Sequence, residues 1–272
     1  MPSMIMEIIR KIAANLFSAY FWFVIFFIAF LFFPFALLIW CATIAYDRRL
    51  VALHMFTCFW SDFSLMLNPL WKIRVIGRKK ILPRTVYIIT SNHQSGADIM
   101  VLYKLYRKFK WVAKKSLFRV PFIGWNMALN RYLSLERTSN SSMRKMLRDA
   151  SLLIAKGNSL MIFPEGTRSR DGQVQPFKTG AFLIALETKT PIVPIAISGT
   201  AKAIDRGGFL ILRNKNIRAT VLDPIPYESF KEMDAKEIAV MVRDRIRASL
   251  ENEQEAFQPI TPVKPQAESP GL

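Results

Sequence analysis

The sequence is poor in the residues from which metal centres and disulfide frameworks are built. It has two cysteines, Cys41 and Cys58, and two histidines, His54 and His93. Two lone cysteines in an apolar neighbourhood give no disulfide framework, and two imidazoles add too few ligands for a zinc site, so no metal is expected. No G-x-S-x-G stretch occurs, and a serine-hydrolase reading loses its usual anchor. No internal repeat is visible. Acidic residues are also scarce: 20 Asp and Glu against 38 Lys and Arg leave a net charge of +18. The segment from Glu251 to Leu272 is itself acidic, so the rest is more basic still. Such a field attracts polyanions, either nucleic acid or an anionic lipid surface. No glycine-aromatic strand motif of the RNA-binding kind is present, which leaves anionic membrane lipids as the expected partner and no nucleic acid.

Charge is missing altogether from residues 12–46, a run dominated by Phe, Ile, Leu, Ala and Trp. Roughly 18 such residues suffice to propose a membrane segment. A single straight helix over this run would be on the order of 50 Å long, well beyond a hydrocarbon core of about 30 Å. Pro34 lies inside it, where proline breaks or kinks a helix. Two helices, or one kinked helix, are therefore expected. A cleaved signal peptide is the competing reading, but its apolar region would be much shorter. Arg10 and Lys11 precede the run and Arg48 and Arg49 follow it. By the positive-inside rule both flanks prefer the cytoplasmic side, which favours a hairpin bent at Pro34 over a full span. Residues 47–70, with His54, read as a second, interfacial apolar stretch. The cations Lys104 to Arg119, interleaved with Tyr103, Tyr106, Phe109, Trp111 and Phe118, suit a headgroup region; a solvated charged face is the plainer alternative.

From Trp71 onward, short β-rich runs alternate with helical stretches. The strands expected are 71–76, 85–90, 110–113, 132–135, 160–163, 192–197 and 218–222. The clearest helix is 142–156, with Met143, Met146, Leu147, Ala150, Leu153 and Ile154 on one face. Others are expected over 98–107, 179–188 and 234–252. Alternation of this kind indicates an α/β layer fold. The organisation expected is a membrane-associated helical segment over 1–70, a catalytic domain over 71–250 and a disordered, proline-rich tail over 251–272.

Two turns carry the chemistry. His93 follows the strand-like run Thr85 to Thr90, and a small polar loop with Gly96 leads on to Asp98. Residues five apart do not share a helix face, but across a turn the carboxylate can fix the imidazole tautomer and stabilise the imidazolium. The second turn, Phe163-Pro164-Glu165-Gly166-Thr167-Arg168-Ser169, also ends an apolar strand. Gly166 permits a turn or a close ligand approach, Thr167 adds a hydroxyl, and Arg168 supplies a planar fork suited to phosphate. The bland reading of this turn is a surface loop in which Glu165 pairs with Arg168.

Together these motifs resemble the glycerolipid acyltransferases, specifically the 1-acylglycerol-3-phosphate acyltransferases. Asn92, His93 and Asp98 match the family's N-H-x4-D block, and Phe163 to Ser169 its F-P-E-G-T-R-S block. Lys114, Pro121, Gly124 and Arg137 resemble the block between them, with Glu136-Arg137 where Asp-Arg is frequent. Phe177 to Ala181 resemble F-K-x-G, and Val193-Pro194-Ile195 the final block. The resemblance covers roughly residues 71–225. It implies an α/β fold with a sheet flanked by helices and an N-terminal helical membrane-associating element. It also implies transfer of a fatty acyl group from an acyl thioester, of coenzyme A or acyl carrier protein, to lysophosphatidic acid, with no cofactor. His93 would be the base, oriented by Asp98, and Arg168, Arg137 and Lys114 would hold the acceptor's phosphate with Glu165, Gly166 and Thr167. Asn92, Pro164 and Pro194 would support the motifs. The alternatives are an acyltransferase for glycerol-3-phosphate or another lysolipid, and a non-catalytic membrane-anchored lipid binder.

Overall fold

The computed structural model describes residues 2–136, 139–169, 172–205 and 209–255. Seven strands form one sheet: β1 (Trp71–Ile76), β2 (Ile88–Ser91), β3 (Lys110–Lys114), β4 (Leu133–Leu135), β5 (Leu160–Ile162), β6 (Ile192–Ser198) and β7 (Asn214–Val221). Their order is β1-β7-β6-β2-β5-β3-β4, with all neighbours parallel except β6 and β7. Seven α-helices accompany them: α1 (Pro2–Thr43), α2 (Val51–Met66), α3 (Ala97–Tyr103), α4 (Ile123–Leu129), α5 (Asn140–Ala155), α6 (Gly180–Glu187) and α7 (Ala235–Glu255). The expected α/β layers are present.

Strand alternation sorts the core into two halves. Ile89 faces the helices α2 and α3, packing with Cys58, Leu65, Val101 and Leu102. Ile88, one residue earlier, faces α5, α6 and α7, packing with Ala150, Phe182, Ile238 and Val242. The central strands are buried on both faces, which is why they read as continuous apolar runs. Full burial of a side chain such as Ile88 or Phe182 contributes about 1.5–3 kcal/mol. In α5 the amphipathic face is the expected one, and Ser139 Oγ accepts the Ser142 N–H at 3.1 Å as its N-cap.

Several expectations are corrected. The apolar N-terminus is one helix that runs through Pro34, not two. Proline removes a single hydrogen bond from the ladder, and packing on both sides of it carries the helix through: Phe30 and Phe33 meet Phe122, while Phe32 meets Phe56, Phe59, Trp60 and Phe63. The chain does reverse direction, but at Ile44–Leu50, where Leu50 takes a positive φ of 54°. Helix α2 is not merely interfacial. Its Leu53, His54, Thr57, Cys58 and Leu65 are buried against the sheet-bearing body. The headgroup reading of Tyr103 to Phe118 fails for its first half: Tyr103, Phe109, Lys110 and Trp111 are core residues, and Lys104 pairs with Asp62. Helix α3 stops at Tyr103, short of Arg107, because Tyr106 adopts a positive φ of 46° and Arg107 turns its guanidinium to the Ile81 carbonyl (2.8 Å). Helix α7 continues to Glu255, past the expected tail boundary; the rest of that tail lies outside the described residues.

Candidate active site at the carboxyl edge of the sheet

Strands β2, β5, β3 and β4 are adjacent and parallel, so their carboxyl ends form one edge, the place where open α/β sheets bind ligands. His93 lies two residues beyond β2, Phe163 to Ser169 follow β5, and Lys114 ends β3. The segment after β4 leads to Arg137, which lies outside the described residues. Motifs far apart in sequence are thus brought to one edge, spaced by about 4.8 Å per strand.

The His93 loop is tied on every side. Asn92 continues the pairing that β2 stops making after Ser91: its side-chain amide donates to the Ile197 carbonyl (2.9 Å) and accepts the Ile197 N–H (2.7 Å). Asp98, fully buried at the start of α3, accepts three bonds on Oδ2: from His93 Nδ1 (2.8 Å), Gln94 N–H (2.7 Å) and Ser95 N–H (2.9 Å). Its Oδ1 is buried with no hydrogen-bond partner. Oδ2 already accepts two backbone N–H groups, so it serves as an acceptor, which assigns the proton between Asp98 and His93 to Nδ1. Nε2 then carries a lone pair, and it engages no described residue. That is the tautomer a general base requires.

The second turn locks onto the first. Glu165, also buried, accepts the His93 N–H at 2.7 Å, and the Ser169 N–H donates to the His93 carbonyl at 2.8 Å. Glu165 thus holds the backbone behind the imidazole, and among the described residues no ion pair joins it to Arg168 as the bland reading of the turn expected. Thr167 and Arg168 are exposed, and among the described residues the Arg168 guanidinium makes no ion pair or hydrogen bond. Their backbone N–H groups likewise have no acceptor there. Gly166 has φ +72°, and a Cβ on it would stand 3.1 Å from Lys178 Nζ, so a side chain here is both strained and crowded. Pro164 accepts the Lys178 N–H at 2.9 Å. Pro194 sits in β6 beside Thr90. Its carbonyl accepts the Leu222 N–H at 2.9 Å, and the reciprocal bond that proline cannot give falls just past the end of β7.

Three neighbours of the site were assigned no role from the sequence. Phe163 stacks on the His93 ring, with centroids 4.0 Å apart and planes at 12°, and Trp111 stacks on Phe163 in turn. Gln94 joins three loops: its amide donates to the Gly172 carbonyl (3.1 Å) and accepts from Thr200 Oγ1 (3.1 Å). Lys178 lies over Gly166 and adds a cation at the turn. His54 is elsewhere. It is fully buried, accepts from or donates to Tyr132 Oη at 2.8 Å, and bonds the Arg107 carbonyl at 2.9 Å. Burial, then the charge of Lys110, lowers its pKa to about 3.

One strand edge thus carries a carboxylate-oriented histidine and an arginine without a partner among the described residues, an arrangement that suits proton abstraction beside an anion. Residues 72–198 match the Acyltransferase family model. A chloroplastic 1-acyl-sn-glycerol-3-phosphate acyltransferase of Brassica napus is 36% identical over 182 residues, covering 66% of this chain and 52% of that protein. The 1-acyl-sn-glycerol-3-phosphate acyltransferase of Saccharomyces cerevisiae is 35% identical over 199 residues, covering 70% and 62%. The chain thus spans about half to three-fifths of the length of these relatives. In fold it is similar to the crystal structure of the 1-acyl-sn-glycerophosphate acyltransferase PlsC of Thermotoga maritima. The TM-score is 0.75 at 24% identity, over 92% of this chain and 100% of that one.

Proposed function

We propose that this protein transfers a fatty acyl group from an acyl thioester to the free hydroxyl of 1-acylglycerol-3-phosphate, giving phosphatidic acid. The observation that carries this reading is the His93–Asp98 pair, with Nε2 unengaged on the same strand edge as Arg168. Nε2 takes the proton of the acceptor hydroxyl as its oxygen attacks the thioester carbonyl. The tetrahedral intermediate then expels the thiolate, which recovers the proton from the imidazolium; the products are an ester and a free thiol. Among the described residues no serine or cysteine bonds His93 Nε2, so the transfer is direct. The unengaged N–H groups of Thr167 and Arg168 suit the developing oxyanion or the acceptor's phosphate, and Arg168, Arg137 and Lys114 suit that phosphate. Coenzyme A or acyl carrier protein carries the acyl group, and no other cofactor is required. The protein works at a membrane carrying anionic lipids, with its body on the cytoplasmic face.

The test is acyl transfer by the purified full chain, offered lysophosphatidic acid, glycerol-3-phosphate and lysophosphatidylcholine in parallel. His93→Ala should lower kcat at least about 100-fold, the contribution of a positioned base, with the thermal unfolding profile retained. Activity of the variant within a few-fold of the unaltered protein removes His93 from the mechanism. Preference for either other acceptor overturns the substrate assignment.

A further inference from the structure

From Ile99 to Leu135 the chain has no acidic residue, yet a cation recurs every few positions. The body absorbs the first of these: Lys104 pairs with Asp62, and Lys108 and Lys110 bond the carbonyls of Gly157 and Asn130. The later ones stand outside. Lys114 and Arg119 are exposed and engage no described residue. Between and beyond them Leu117 is 37% exposed and Trp125 46%.

The backbone here is built rather than loose. Phe122 has φ 60° and ψ −54°, closed by the Ile123 N–H on the Pro121 carbonyl at 2.6 Å. Such a conformation costs a phenylalanine on the order of 1–3 kcal/mol and persists only where its surroundings impose it. Gly124 imposes part of it: a Cβ there would stand 2.5 Å from the Phe118 carbonyl. Helix α1 imposes the rest. The turn presses the Phe122 ring against Phe30 (5.6 Å) and Phe33 (5.9 Å), and Trp125 against Phe33 (5.5 Å). The exposed Phe30 of α1 thus adjoins the exposed Trp125 through Phe122 and Phe33, with Lys114 and Arg119 in the same segment. Exposed apolar side chains grouped in this way mark an interaction site, and aromatic rings beside lysine and arginine suit the headgroup layer.

We propose that the segment Lys115–Leu129 is a second membrane-contacting element, seated beside α1 in the headgroup region of an anionic bilayer. It holds the carboxyl ends of β3 and β4 at the lipid surface, so that a phospholipid reaches the site between Trp125 and Lys114 without leaving the bilayer. The contact itself does not depend on the proposed function; only the delivery of acceptor does.

Trp125→Cys, carrying an environment-sensitive fluorophore in a Cys41→Ser background, tests it. Cys58 is buried and stays unlabelled. Val240→Cys on α7, at an exposed position away from this segment, serves as the control. With vesicles of phosphatidylcholine and phosphatidylglycerol, the label at 125 should shift to the blue and be quenched by bromolipids, and the label at 240 should do neither. A label at 125 that stays in water while the protein pellets with the vesicles overturns the proposal. Arg119→Glu should weaken binding to the same vesicles roughly thirty-fold at low ionic strength, since each cation near such a surface contributes about 1 kcal/mol and the sign is reversed. It should raise the KM for vesicle-borne lysophosphatidic acid and leave that for a water-soluble short-chain acceptor unchanged. An equal rise for both acceptors overturns delivery through this segment. Absence of any transfer counts against the proposed function, and the labelling result stands apart from it.

Discussion

Replacing Asp98 by asparagine separates two things a carboxylate does for a catalytic histidine, because this site fixes the orientation of the new side chain. Asp98 Oδ2 faces three donors, His93 Nδ1–H and the N–H groups of Gln94 and Ser95, whereas Oδ1 faces none. An asparagine that turned its NH2 toward Oδ2's place would set a donor against two backbone donors, each a buried group costing about 1–3 kcal/mol when unsatisfied. The amide therefore keeps its oxygen where Oδ2 was and puts NH2 in the place of Oδ1. The Nδ1–H tautomer survives, and what is lost is the negative charge beside the imidazolium. A hydrogen bond to a charged group contributes about 1.5–3 kcal/mol against about 1 for a neutral one, and the Coulomb attraction at this separation is of similar size after solvation. The net loss is about 2–4 kcal/mol in the transition state, or roughly 30- to 1,000-fold in kcat. Single-turnover acyl transfer with saturating lysophosphatidic acid measures it, with the unfolding midpoint as a check on the fold. A loss of about 10⁴-fold or more would mean that the tautomer had flipped, refuting the argument from the backbone donors. A loss under three-fold would mean that Asp98 only shapes the loop.

Arg168→Lys should raise the KM for the phosphorylated acceptor at least about tenfold and barely change that for the thioester, since a point charge cannot replace a two-pronged fork; equal values for both substrates would assign Arg168 to the turn alone. His54→Ala, on a residue that the sequence placed in an interfacial stretch, should lower stability by about 3–5 kcal/mol in urea titration, because it opens a cavity and strips partners from Tyr132 and the Arg107 carbonyl. The same residue sets a pH dependence. Its folded pKa of about 3 lies below the ordinary 6.5, so the unfolded chain binds the extra proton and stability falls as pH drops from 6.5 toward 3; the fall should be shallower in His54→Asn. Gly124→Ala should unfold the protein several degrees early, since its Cβ meets backbone at 2.5 Å, and unchanged thermal unfolding would show that the Phe118 segment yields freely.

The parts of the fold that are legible in the sequence are those where one physical demand dominates. β1, β3, β6 and the face of α5 follow from apolar patterning, alternating in β1, continuous in β6 and helical in α5, and the two turn motifs announce themselves as polar residues at the ends of apolar runs. The roles inside those motifs are less legible. Glu165 reads as a ligand group because carboxylates are normally exposed, yet it spends its charge on the backbone of His93, 72 residues away in sequence. No local pattern encodes that pairing; it exists only because β2 and β5 are neighbours. The same holds for Phe163, which looks like one more strand aromatic until its ring is found parallel to the imidazole. His54 is the converse case. Its surroundings look interfacial in one dimension, and only the docking of α2 reveals a buried, neutral imidazole whose work is structural.

Helix α1 shows where a hydropathy pattern underdetermines geometry. Its length and composition suffice to cross a membrane, and a charge-based argument alone prefers a hairpin to a span. The structure alters the premises of both. At about 1.5 Å per residue the helix sets Arg10 about 50 Å from its last residue, Thr43, so no bend at Pro34 brings the two basic flanks together. Nor does the helix project freely from the body. Ser18 accepts the Ile211 N–H at 2.8 Å, Trp22 donates to the Phe209 carbonyl at 2.7 Å, Phe21 packs on Trp71, and Phe33 packs on Trp125. An upright span would draw these polar backbone partners toward the hydrocarbon, where unsatisfied groups are costly. A helix lying along the membrane with its exposed phenylalanines downward leaves them at the interface, and keeps every basic flank on one leaflet. Labelling of single cysteines at Ser3 and Ser139 from one side of sealed vesicles distinguishes the two arrangements: both sites react from the same side if α1 lies in the surface, and from opposite sides if it crosses.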